Sequence, residues 1–205
     1  QIVSVFVYRF CISHLMMQWR CLKLLVTSMI KIIDNYLMPY EHDMIRAYFE
    51  GEMDNGTVDG SCNWNFVNGC SQIGDGNFHF SSLIHSMFEV RVPRAYELLK
   101  PLIERTNMSS IARIKANCVI KTHELKVFTN AFHDDYPSES NIITGIYYIN
   151  TNDGYTLFED GQKCESVANR FCMFPSGMKH TGTTCSDTDR RILINFNFTT
   201  YDKHF

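Results

Sequence analysis

Five runs near the C-terminal end decide the fold: NIITGIYYIN (141–150), YTLFE (155–159), RFCMF (170–174), PSGMKHTG (175–182) and RRILINFNF (190–198). Four of them are short and rich in β-branched and aromatic residues. Between them stand TNDG (151–154), EDGQ (159–162), PSG (175–177) and CSDTD (185–189), which carry turn chemistry. Such a pattern reads as strands punctuated by tight turns. Successive residues of a strand point to opposite faces, so the last run sorts itself. Arg191, Leu193, Asn195 and Asn197 share one face, and Arg190, Ile192, Ile194, Phe196 and Phe198 share the other. The apolar face suits packing against helices. The polar face suits an interior that binds something.

Working outward, ARIKANCVI (112–120) and LKVFTNAF (125–132) read as two further strands, which makes six in fewer than 90 residues. That is the spacing of a β-sandwich or jelly roll. Upstream, PRAYELLKPLIER (93–105) places Ala95, Leu98, Leu99, Leu102 and Ile103 at helical spacing, with Pro101 expected to bend the helix. A second helix is expected over 39–50, with Pro39 in its first turn, after a short strand from Ile30 to Ile33. Residues 51–77, rich in Gly, Asn and Asp, read as loops with one short strand around Trp64 to Val67. Helices come first and strands follow. The expected class is therefore an all-β core with flanking helices, α+β in arrangement and not an alternating βαβ chain.

The chain has 205 residues, 45% hydrophobic and 20% charged, which excludes a disordered, collagenous or coiled-coil protein. A net charge of -3 gives no electrostatic case for nucleic acid or an anionic membrane as partner. Eight cysteines without a C-x-x-C pair read as free thiols of a reducing compartment, so a cytoplasmic location is expected. Residues 1–28 are apolar but interrupted by Arg9, Arg20 and Lys23, and no charge-free run reaches the 18 residues of a membrane span. They are expected to be an extension ahead of a start at Met29, with residues 29–205 forming a single domain.

Within the β half, FHDDY holds His133-x-Asp135. By composition alone this pattern is close to chance. On a strand, however, residues i and i+2 point the same way, so both side chains can converge on one point. His180 lies 45 residues downstream, after the PSG turn. Two imidazoles and one carboxylate make the facial triad of a non-haem Fe(II) oxygenase, which leaves coordination positions open. Arg191 points by parity into the same interior, and a buried guanidinium needs an anionic partner. A dicarboxylate would supply one through a bidentate pair.

FHDDY, TGIYYINTNDGYTLFEDG, NRFCMFPSGMKHTG and RRILINFNF together resemble the Fe(II)/2-oxoglutarate dioxygenases, in particular the prolyl-4-hydroxylase-like branch and its short phage and marine-bacterial members. The resemblance spans roughly residues 29–200 and is strongest over 131–198. It implies a double-stranded β-helix, the cupin-like jelly roll that the strand count also suggests. It implies His133, Asp135 and His180 as iron ligands and catalytic centre, and Arg191 as partner of the distal carboxylate of 2-oxoglutarate. Tyr148 matches a position whose phenol reaches that carboxylate, and Asn117 is the candidate contributed by the strand ahead of the triad. The implied cofactors are Fe(II), 2-oxoglutarate and O2, with ascorbate in addition. The implied reaction hydroxylates a substrate, a prolyl or other amino-acid side chain being favoured, with release of succinate and CO2. A Gly-Gly-Glu-like step of many relatives is replaced here by Gly154-Tyr155-Thr156.

The expected partner is a peptide or small-molecule substrate, with no nucleic acid and no membrane; nothing in the sequence assigns an oligomeric state. Two other readings stay open: a cupin-type or zinc-loaded jelly roll, and a module that kept the fold without the chemistry. Arg191 discriminates, because a cupin site needs no buried anion clamp.

Overall fold

A computed structural model of the chain describes residues 30–51, 61–69, 78–138 and 140–201. The chain divides into two compact units, Gln1–Lys31 and Ile32–Phe205, and the architecture below is that of the second. The reading of residues 1–28 as an extension lies outside the described residues.

Two helices form where the sequence predicts them, but strands of the main sheet stand before the first and between the two, so the helices do not all come first. Helix α1 (Pro39–Glu50) starts with Pro39 in its first turn, where a missing N–H costs nothing, and the Glu41 carboxylate accepts from the Met38 N–H at 3.0 Å. It ends at Gly51, whose φ of 77° is the left-handed conformation that glycine adopts without strain. Helix α2 (Pro93–Arg105) also begins with proline and runs through Pro101 without ending there.

The strands are β1 (Lys31–Ile33), β2 (Asn65–Val67), β3 (His79–Ser86), β4 (Glu89–Val90), β5 (Met108–Ile120), β6 (Ile143–Tyr148), β7 (Tyr155–Phe158), β8 (Lys163–Glu165), β9 (Arg170–Pro175), β10 (His180–Thr181) and β11 (Arg190–Thr200). Eight of them form one sheet in the order β1-β9-β6-β11-β5-β3-β2, with β4 paired to β3; β10-β7-β8 form a second sheet. Strand β11 is central and antiparallel to both neighbours, with Leu193 opposite Asn117 of β5 and Tyr148 of β6. A large sheet and a small one enclosing a common interior make the jelly roll, a double-stranded β-helix.

Parity along β11 determines the layers. Ile192, Ile194, Phe196 and Phe198 are fully buried in one cluster with Ile45 and Phe49 of α1 and Leu99 and Leu102 of α2. Burying each phenylalanine contributes about 1.5–3 kcal/mol. The opposite face, with Arg191, Leu193 and Asn195, lines the interior cavity.

The segment LKVFTNAF departs from the expected strand. Val127 makes an isolated bridge with Thr183, and Thr129–Ala131 is then a 3-10 turn. Phe128 and Ala131, three residues apart, fall on one side of that turn and bury together with Val119. Three residues per turn eclipses i and i+3, so this apolar spacing serves the tighter helix. Strand β3 was not foreseen either: HFSSLIHS is buried on both faces and so lacks alternation. Among the described residues, no helix is long and apolar enough to cross a membrane.

Candidate metal centre and its cavity

The backbone joins the two histidines before their rings meet. His133 N–H donates to the His180 carbonyl at 3.1 Å and His180 N–H to the His133 carbonyl at 3.0 Å. This pair is an isolated antiparallel bridge, so His133 sits in irregular chain and not on the continuous strand the sequence suggests. The ring centroids stand 4.7 Å apart. Each Nδ1 faces a carbonyl two residues back: His133 that of Ala131 at 2.9 Å, His180 that of Met178 at 3.0 Å. A carbonyl only accepts, so Nδ1 carries a proton, the tautomer that in a neutral ring leaves the lone pair on Nε2. This is how metal-binding imidazoles are oriented.

Asp135 completes the group. Its N–H donates to Ser176 of the PSG turn at 3.0 Å. Oδ1 accepts from Arg113 Nη2 at 2.7 Å, and Oδ2 accepts from Thr144 Oγ1 at 2.8 Å and Asn197 Nδ2 at 3.0 Å. Arg113 Nε also donates to Asn197 Oδ1 at 2.9 Å, which ties the supports together. His133 Nε2 lies 3.9 Å from Asp135 Oδ1, and the ligand atoms of His133, Asp135 and His180 all lie within 4.8 Å of one another. Two imidazoles and a carboxylate converging in this way fit a borderline divalent ion such as Fe(II).

Protonation agrees with ligation. Burial pushes the Asp135 carboxyl up, but His180, Arg113 and the bonds from Asn197 and Thr144 outweigh it and hold it below its ordinary value. Burial is also the largest influence on His180 and lowers its pKa, which favours the neutral ligand form.

A cavity of about 310 Å³ runs from this group to Arg191. Of the two adjacent arginines, Arg190 is exposed and Arg191 is 1% exposed. Arg191 Nε donates to Ser166 Oγ at 2.7 Å; Nη1 reaches the Thr183 carbonyl at 3.5 Å and Nη2 the Thr156 hydroxyl at 3.4 Å. None of these is an anion, and among the described residues no carboxylate pairs with it. Gly154 leaves room for the stem: a Cβ there would stand 2.6 Å from Arg191 Cδ and 2.7 Å from the Thr184 carbonyl.

The structure places the other two candidate residues differently. Tyr148 is fully buried, its ring centroid 5.7 Å from the Arg191 guanidinium carbon. Its hydroxyl hydrogen-bonds Thr156 Oγ1 at 2.8 Å and the Cys164 carbonyl at 3.4 Å, so it stands behind Thr156, against Arg191. Asn117 lines the cavity, as do Lys115, Asn195 and His79. Arg113, Thr144 and Asn197, which hold Asp135, were not singled out as site residues from the sequence. Alternation along IARIKANCVI does place Arg113, Lys115 and Asn117 on one face, but only the register, Asn197 opposite Arg113, aims them at the triad.

The architecture is the fold of the 2-oxoglutarate and Fe(II) oxygenases. It is similar to a prolyl hydroxylase from Trichoplax adhaerens solved in complex with a hypoxia inducible factor oxygen degradation domain peptide fragment. That match has 16% identity and a TM-score of 0.53, covering 85% of this chain and 84% of that one. A Pseudomonas putida prolyl-4-hydroxylase matches at 13% identity and TM-score 0.51, over 83% of this chain and 92% of that one. The non-heme alpha ketoglutarate dependent carbocyclase SnoK from nogalamycin biosynthesis matches at 11% identity and TM-score 0.54, over 84% and 80%. No protein-family model and no curated protein sequence matches the chain.

Proposed function

We propose that this chain is an Fe(II)- and 2-oxoglutarate-dependent oxygenase that hydroxylates an amino-acid side chain, prolyl or other, releasing succinate and CO2. One observation carries the reading: a preoriented His133–Asp135–His180 group and a buried Arg191, which no carboxylate among the described residues pairs with, line the same cavity. The fold shared with prolyl hydroxylases supports it, while a carbocyclase on the same fold shows that fold alone does not fix the outcome at the substrate.

Each residue has a task. His133 and His180 present Nε2, and Asp135 presents a carboxylate oxygen. Fe(II) held there supplies the chemistry with O2 that decarboxylates 2-oxoglutarate to succinate and oxidises a substrate C–H bond. Arg191 takes the distal carboxylate of the cosubstrate in a water-poor pocket, where a charge-assisted pair is strong. Tyr148 and Thr156 hold the guanidinium in place. The cosubstrate carries only hydrogen-bond acceptors, so Asn117 can serve it only through its amide N–H2.

The test is succinate formation by the whole protein, loaded with Fe(II) without oxygen and then exposed to O2 and 2-oxoglutarate, with and without ascorbate. Succinate is expected, and His133→Ala, Asp135→Ala and His180→Ala each abolish it while the protein stays folded. Metal uptake without 2-oxoglutarate binding would move the protein to the cupin-type reading. Succinate unchanged in the three variants would overturn the site.

A further inference from the structure

Arg113 is only partly used by the triad it supports. Nε donates to Asn197 Oδ1 at 2.9 Å and Nη2 to Asp135 Oδ1 at 2.7 Å, along one edge of the planar guanidinium. The group carries its N–H bonds in a rigid fork, so the adjacent Nη1–Nη2 edge keeps a pair of donors. Among the described residues nothing accepts from Nη1, and that nitrogen is not a buried orphan. The Arg113 side chain is 31% exposed and lines the cavity, so a molecule held there can reach it.

Charge points to the kind of molecule. Asp135 balances Arg113, and Lys115 and Asp134, which also line the cavity, carry opposite charges. Ligating imidazoles are neutral. On the oxygenase reading, Fe(II) and Arg191 then contribute three positive charges against the two negative ones of the dicarboxylate cosubstrate. One positive charge is left over, and an uncompensated charge in a water-poor site is costly. The open edge of Arg113 selects its complement by shape as well. A carboxylate meets a planar two-donor fork with both oxygens, whereas a neutral amide or a hydroxyl offers it one. On the same reading the cosubstrate is held by Arg191 at one end and by the metal at the other. The remaining anion therefore comes from the substrate.

We infer that the substrate carries a carboxylate, which docks on the Nη1–Nη2 edge of Arg113 beside the metal ligand Asp135. Arg113 then sets specificity in addition to bracing Asp135. The inference rests on the oxygenase reading above and names the substrate class for that same site.

Calorimetry tests it without turnover. Protein saturated with Mn(II) and 2-oxoglutarate under anaerobic conditions is titrated with free L-amino acids, N-acetyl amino acids, and end-blocked peptides holding an internal aspartate or glutamate. Each ligand is paired with its primary amide, and end-blocked prolyl peptides without a carboxylate are added. At least one carboxylate ligand is expected to bind, and its amide to bind at least about tenfold more weakly. The arm that binds tells an α-carboxylate from a side-chain one. Arg113→Gln brings the ratio of acid to amide affinity close to one, and Arg113→Lys keeps part of the preference. Loss of metal support alone would weaken both members of a pair and leave their ratio unchanged. The ligand pair on the parent protein keeps the test decisive where a variant fails to fold. Equal binding of acid and amide would overturn the inference, as would an unchanged ratio in Arg113→Gln, or uncharged peptides binding while every carboxylate fails. The first titration, with 2-oxoglutarate alone, separates the two levels: its failure removes the oxygenase reading, and its success followed by failure of all carboxylate ligands removes only the substrate class.

Discussion

The two ends of the cavity are built on opposite principles. At the triad every ligand is braced from behind: the imidazoles by carbonyls at 2.9 and 3.0 Å, the carboxylate by Arg113, Thr144 and Asn197. Positive and negative charge already meet there, Arg113 on Asp135 at 2.7 Å. At the far end, Arg191 is more deeply buried, yet its partners are a serine, a threonine and a carbonyl, two of them at 3.4–3.5 Å. The first end is complete as protein and awaits a metal only as an addition. On the proposed function the second is half of an ion pair. A buried charge without its partner is costly, so stability is given up there for affinity.

That contrast makes its strongest prediction at Arg191. Arg191→Met removes the anion clamp, so affinity for 2-oxoglutarate falls by roughly 30-fold to several thousand-fold, the effect of truncating one member of a buried charge pair. The ligand-free variant is nevertheless at least as stable as the parent, because the desolvation cost of an uncompensated buried ion leaves with it. Calorimetric binding and thermal unfolding of the same samples check both halves. A variant that binds 2-oxoglutarate normally, or that unfolds far earlier than the parent, breaks the comparison.

The next effect belongs to the triad's support. Arg113→Gln leaves the three ligands in place but removes the charged donor from Asp135 Oδ1. Loss of such an outer partner weakens metal binding by about 10–100-fold. Co(II) titration followed by its visible absorption is expected to show this, with Arg113→Lys recovering part of the loss. Affinity unchanged in Arg113→Gln would mean that Thr144 and Asn197 suffice to orient the carboxylate.

Much of this was legible in the sequence, for physical reasons that can be named. Alternation along RRILINFNF separated Arg191 from Arg190 and the cavity face from the core face. The PSG turn before His180, and prolines 39 and 93 at helix starts, marked boundaries that the structure keeps. What stayed hidden depends on register and on very short elements. Asn197 and Arg113 are 84 residues apart and meet only because β5 and β11 pair in one particular register. Strands β8 and β10 have three and two residues, too few for any period to show. Tyr148 has the parity of a cavity residue, yet its length carries the hydroxyl past the cavity wall to Thr156 and Cys164.

The smallest effect is in acid, and its sign distinguishes the two ends once more. Asp135 is held below its ordinary carboxyl value in the folded protein, whereas the unfolded chain titrates near 3.9. A folded pKa below the unfolded one gives stability that is present above the unfolded value and lost as pH falls through the folded one. Metal-free protein should therefore lose part of its stability below about pH 4. In Arg113→Gln that part shrinks, because a positive neighbour and a hydrogen bond favouring the ionised form are gone. Arg191→Met should leave the acid limb unchanged, since among the described residues no carboxylate pairs with that guanidinium. Denaturant unfolding of the three proteins between pH 3 and pH 6 measures it. An acid limb altered equally by both substitutions would show that the two ends share a counter-ion and are not built independently.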